Sequence, residues 1–214
     1  MCSIIGSFDK DKLIALCELN AYRGQHSHSI SYHDGEGVYY TQKNFGPIDY
    51  EKIDIVDGDY CIVHMQAPTT DNKNLNCIHP ATNNPYSPSD LLWHNGIIKE
   101  KEVERLRQKY QLKATWDTYI LLHHLIIGES LSDIDGSFSC LWYDDSSAER
   151  PELRIFRNEI SPMFIDSHAN ISSTKFENSV PIDANVMFKF DPFKNALVPL
   201  WTFETKENPY YFGE

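Results

Sequence analysis

MCSIIG (residues 1–6) is the stretch on which the reading of the fold turns, because a cysteine stands at position 2, directly ahead of a short β-rich run. Trimming of an initiator Met before a small residue would leave Cys2 as the mature N-terminus, with a thiol and a free α-amine on one residue. That pair is a compact nucleophile and base: an amine with a pKa of about 7.7–8.0 takes the proton from a thiol near 8.5. The other reading is a small apolar residue starting a buried strand, since free cysteine is among the most buried residue types. The hexapeptide alone leaves both open.

The 214 residues suit one large domain over 1–214, with a core over about 2–205 and an aromatic tail over 206–214. Hydrophobic residues make up 41% and charged residues 23%, a globular composition. With 19 basic and 31 acidic residues the net charge is −12, which argues against a nucleic-acid partner. No apolar run is long enough to cross a membrane, and the N-terminus lacks the basic start and apolar core of a signal peptide. A cytoplasmic location with reduced cysteines is the expectation. The five cysteines show no C-x-x-C spacing. His26, His28 and His33 alternate on one hairpin without a carboxylate or Cys to complete a set, so no metal site is expected.

CSIIGSF (2–8) reads as a strand and DKDKLIALCELN (9–20) as a helix, with Leu13, Leu16 and Cys17 on one face. SHSISYHDGEGVYYTQ (27–42) reads as a hairpin turning at Asp34-Gly35 and Gly37. DYCIVHM (59–65) is a strand ended by Pro68. Residues 66–88 form a long polar loop, a length usually tied to function or disorder. DLLWH (90–94) is a further strand, stopped by Asn95-Gly96. KEKEVERLRQKY (99–110) is amphipathic along Val103, Leu106 and Tyr110; WDTYILLHHLIIG (116–128) is apolar enough to be buried, with Gly128 as its stop. Strands follow at 137–144, 152–157, 163–166, 185–190 and 196–203. Strands, two central helices and strands again suggest two sheets with helices packed outside them.

Asn95-Gly96 adds a chemical possibility: an Asn side-chain N–H and the next backbone N–H, presented together, form an oxyanion hole, and losing one such donor costs about 2.7–4 kcal/mol. A thiol nucleophile and an oxyanion hole together mean acyl transfer. MCSIIG, RGQHS (23–27), HMQAPT (64–69), His79-Pro80, HNGIIKE (94–100), WDT (116–118) and GSFSCLWYD (136–144) occur in the order found in class II glutamine amidotransferases, which the chain resembles over roughly residues 2–205. The resemblance implies an α+β fold, a four-layer αββα sandwich of the N-terminal nucleophile hydrolase type. It implies Cys2 as nucleophile with its amine as base, Asn95 and Gly96 as oxyanion hole, and Asp117 as partner of the glutamine α-ammonium. Asp117 also reads as a helix N-cap, and the two roles are compatible. Arg23 would support the nucleophile's surroundings, Gly24 would permit the turn beside it, and Thr69 would help bind substrate. His79 would belong to the loop over the site, or else be a surface histidine.

One position departs from the family pattern. Where the family has an arginine that clamps the glutamine α-carboxylate, this chain has Gln66, a neutral amide in place of a charged fork. A hydrogen bond to a charged group contributes about 1.5–3 kcal/mol, so carboxylate binding is expected to weaken roughly 10- to 150-fold unless another cation, such as Lys73, substitutes. The resemblance implies a glutaminase that needs no cofactor and feeds ammonia to a separate synthase subunit, since no synthase domain follows within the 214 residues. Two rival readings stand beside it: an N-terminal nucleophile hydrolase acting on a different amide, and a non-catalytic partner subunit.

Overall fold

Side chains alternate across a strand, and in this chain both sets are apolar: Ile4 and Ile5, Ile62 and Val63, Leu92 and Trp93 are all buried. Strands of that kind must be covered on both faces. The structure, a computed structural model, describes residues 2–56, 58–67, 75–83, 90–145 and 151–206, the side chain of Tyr39 apart. The first strands are β1 (Ser3–Ser7), β2 (Ser27–His33), β3 (Val38–Phe45), β4 (Tyr60–Gln66), β5 (Ala81–Thr82) and β6 (Leu91–Ile98). After two helices come β7 (Gly136–Asp144), β8 (Glu152–Arg157), β9 (Phe164–Ile165), β10 (Ile171–Ser172), β11 (Val180–Pro181), β12 (Val186–Asp191) and β13 (Ala196–Thr202). The helices are α1 (Lys10–Asn20), α2 (Glu100–Tyr110) and α3 (Asp117–Ile126).

The strands form two antiparallel sheets, ordered β11-β9-β10-β1-β4-β2-β3 and β13-β12-β8-β7-β6-β5. Alternation then sorts the side chains into three apolar layers. Ile4, Tyr60, Ile62, Trp93, Leu141 and Ile155 meet between the sheets. Ile5, Val63 and Met65 face Leu13, Leu16 and Cys17 of α1. Leu92, Cys140 and Trp142 face Leu106 of α2 and Leu121 and Leu125 of α3. The result is the expected α+β, four-layer αββα sandwich. Each fully buried large apolar side chain contributes about 1.5–3 kcal/mol, so the three layers dominate the stability.

Local signals fix the helix ends. Asp9 caps α1 by accepting from Lys12 N at 2.7 Å. Gly128, at φ +75, takes the left-handed conformation just beyond α3. The expected stop at Asn95-Gly96 is corrected: β6 runs through both residues, pairing Asn95 with Ser139 and Gly96 with Phe138. Glycine is required there by close approach, because a Cβ on Gly96 would overlap the Ser137 carbonyl and lie 2.8 Å from His94 Nε2. The long polar loop carries a 3-10 turn (Leu75–Cys77) and β5, while residues 68–74 and 84–89, with Thr69 and Lys73, lie outside the described residues, as does the tail from 207.

Asn158, buried just after β8, ties β7 to the segment that follows. Its Oδ1 accepts from Phe138 N at 3.2 Å and from Ile160 N at 3.3 Å, and its Nδ2 donates to Gly136 O at 2.9 Å. Asn158→Ala strands these backbone groups in a buried place, and a loss of about 2–4 kcal/mol is expected in urea unfolding, with m unchanged.

Candidate active site

Cys2 stands at the head of β1, almost fully buried at 7% exposure. Its carbonyl accepts from Arg23 Nε at 2.9 Å, and its thiol donates to Ala67 O at 3.6 Å. Burial pushes the thiol pKa up, the bond to Ala67 and the charge of Arg23 oppose the rise, and Asp117 adds to it. The resting group is therefore a thiol, and reactivity requires a base. Gly24 has φ −168, an extended conformation open to any residue, so the expected turn role is corrected. Its role is space: a Cβ would fall 2.5 Å from Gln66 C and 2.8 Å from Ala67 N.

Beside Cys2 opens a cleft of about 570 Å³ whose lining includes Gln66, Ala67, His79, Gly96, Asp117 and a stripe of α2. Asp117 is the first residue of α3; its carboxylate accepts from Thr118 N at 2.8 Å and Ile98 N at 3.3 Å, joining the helix start to β6. Asn95 is not part of the lining: it is buried, with Nδ2 3.5 Å from Ser139 Oγ, a long contact that uses little of the donor. His79 is buried at 3% and is no surface histidine. Sequence reasoning missed the α2 residues. Their charges read as an ordinary solvated helix face, and nothing in their spacing tells which tertiary neighbour they meet.

Behind the cleft runs a polar chain. Gln66 Nε2 donates to Cys77 O at 3.0 Å, so Gln66 Oε1 faces His79 Nδ1 at 3.2 Å as an acceptor. His79 Nε2 lies 3.0 Å from Thr118 Oγ1, which lies 3.2 Å from His94 Nδ1, and His94 Nε2 lies 3.3 Å from Ser137 O. Four contacts join two acceptor ends, yet neutral His79, Thr118 and His94 bring three protons, so one link is unmade unless an imidazole is charged. Burial lowers the pKa of His94 while Asp117 works the other way, and burial with His64, His94 and Lys43 lowers that of His79.

His64 stacks on His79 at a 3.8 Å centroid distance and donates from Nε2 to His94 O at 3.0 Å, leaving buried Nδ1 without a partner among the described residues. Burial brings its pKa down to about 3. Between about pH 6.5 and pH 3 the unfolded chain binds a proton at His64 that the folded chain refuses, so stability falls as pH drops through that window. His64→Phe removes this linkage. The stability lost between pH 7 and pH 5, measured by urea unfolding, is expected to shrink by about 2 kcal/mol in the variant.

The architecture around this cleft is that of the N-terminal nucleophile hydrolase sandwich, the fold type of class II glutamine amidotransferases. No family model matches the chain, and no curated protein matches it in sequence. Among solved structures, glutamine phosphoribosylpyrophosphate (PRPP) amidotransferase from B. subtilis, complexed with ADP and GMP, is similar at TM-score 0.70 and 16% identity, over 97% of this chain and 50% of that one. A structure described as the allosteric regulatory enzyme of purine biosynthesis is similar at TM-score 0.69 and 15% identity, over 94% and 48%. The chain spans about half the length of these structures, and at such identity the likeness carries the fold.

Proposed function

We propose that the chain is a class II glutamine amidotransferase-type glutaminase in which Cys2, once exposed as the N-terminal residue, is the nucleophile. The observation that carries this reading is the position of the Cys2 thiol at the head of a central strand, on one cleft with Gly96 and Asp117. The fold shared with PRPP amidotransferase supports it.

In this mechanism the α-amine of Cys2 takes the thiol proton, a necessary step because burial holds the thiol protonated. The thiolate attacks the side-chain amide carbon of glutamine or a related small amide. The developing oxyanion is met by the Gly96 N–H, which lines the cleft, and by Asn95 Nδ2 once that buried side chain turns from Ser139 toward the cleft. Collapse breaks the C–N bond, and the α-ammonium returns the proton to departing ammonia. Water then hydrolyses the γ-glutamyl thioester to the carboxylate and the free thiol. Asp117 holds the substrate ammonium, and Arg23 holds the Cys2 carbonyl in place. Protein groups and water balance every step. Ammonia would pass to a separate acceptor enzyme.

Intact-mass spectra before and after treatment with a diazo-ketone glutamine analogue test the reading. Expected are the loss of Met1 and a single adduct on Cys2 that Cys2→Ser abolishes. Asp117→Asn should lower kcat/KM about 10- to 150-fold, mainly through KM, from the loss of a charged hydrogen bond. Retention of Met1 on natively produced protein, or an adduct elsewhere, would sink the proposal.

A further inference from the structure

The described lining of the cleft suits a cation and a neutral amide more than a free carboxylate. Among its described lining residues stand three carboxylates, Glu100, Glu104 and Asp117, against one guanidinium, Arg107. Arg107 is already forked onto Glu104, Nε to Oε2 at 2.9 Å and Nη2 to Oε1 at 3.0 Å. Gln66, at the base of the cleft, is neutral and spends both ends of its amide on Cys77 and His79. Lys43 is buried nearby, but its Nζ donates to Pro80 O at 2.7 Å and it does not belong to the lining. Against these described residues a free carboxylate meets like charges and finds the one guanidinium among them in use, while an ammonium at Asp117 is favoured.

The shape points the same way. Glu100, Val103, Glu104 and Arg107 are spaced i, i+3, i+4, i+7 and so form one stripe of α2 along the cleft wall. A free amino acid reaching Cys2 and Asp117 leaves that stripe uncovered. A chain continuing from its carboxyl group has a polar, net acidic wall to run along, and its peptide bond offers a carbonyl and an N–H that neutral groups can pair.

We propose that the preferred substrate is the N-terminal glutamine of a peptide: α-ammonium at Asp117, side-chain amide at Cys2, and the following residues along the α2 stripe. This rests on the amidohydrolase reading of Cys2. The reaction converts the side-chain amide and one water to a glutamyl side chain and ammonia, through the same thioester, with the backbone of the peptide intact.

The test compares kcat/KM for free L-glutamine and for glutaminyl-glycyl-lysine, using protein with Cys2 exposed. Ammonia release is read together with the mass of the product peptide, so that the glutamyl product is told apart from spontaneous cyclisation. The peptide is expected to be preferred by about tenfold or more. Glu104→Gln, which removes a carboxylate and releases Arg107, is expected to narrow that preference at least about threefold by improving free glutamine. Equal or better use of free glutamine, or labelling of Cys2 without peptide turnover, overturns the inference and leaves the glutaminase reading standing. Neither labelling nor turnover of either substrate removes the glutaminase reading, and this inference with it.

Discussion

Burial of both faces of the central strands in both sheets is the constraint on which the rest of the molecule depends. The inner faces share Ile4, Ile62, Trp93 and Leu141, and the outer faces are covered by α1 on one side and by α2 and α3 on the other. Polar chemistry then sits at strand ends and at buried polar groups, most of which find partners. β1 and β6 touch across the inner layer, which puts the start of one beside the end of the other. Cys2 and Gly96 therefore share a cleft as a consequence of layer packing, although 94 positions separate them in the sequence.

The histidines behind the cleft show how that packing sets electrostatics. His64, His79 and His94 are each nearly inaccessible, and each is biased toward the neutral form by desolvation. Neutral imidazoles orient by the single proton each carries. His64 commits its proton to the carbonyl of His94, the residue next to Asn95. The chain from Gln66 through Thr118 couples the cleft floor to the first turn of α3, where Asp117 sits. The two ends are joined by one continuous row of donors and acceptors that has one proton fewer than it has contacts.

Much of the fold was legible in the sequence because its elements carry period-2 or period-3.6 apolar patterns: β1, β4, β7, α2 and α3 were all placed within a few residues. The two-residue strands β10 and β11 were not, since two residues carry no period. Asn95-Gly96 was misread as a strand end because the dipeptide favours turns locally, whereas pairing with β7 and the tight contact at Ser137 override that preference. The positions lining the cleft on β1, β4 and α3 were read from motif order. Those on α2 were invisible, because a stripe of Glu, Val, Glu and Arg has the same composition whether it meets solvent or a cleft.

Among the described residues β13 ends the second sheet, and Val198, Leu200 and Trp201 on it are substantially exposed. An open strand with such side chains is ordinarily a template for adding further strands. Here Pro199 takes one donor out of the strand, and the shift in register between Met187 and Phe188 disturbs its pairing with β12. The edge thus keeps an apolar surface while offering an interrupted row of backbone partners: protection against runaway self-assembly is written into the backbone rather than into surface charge.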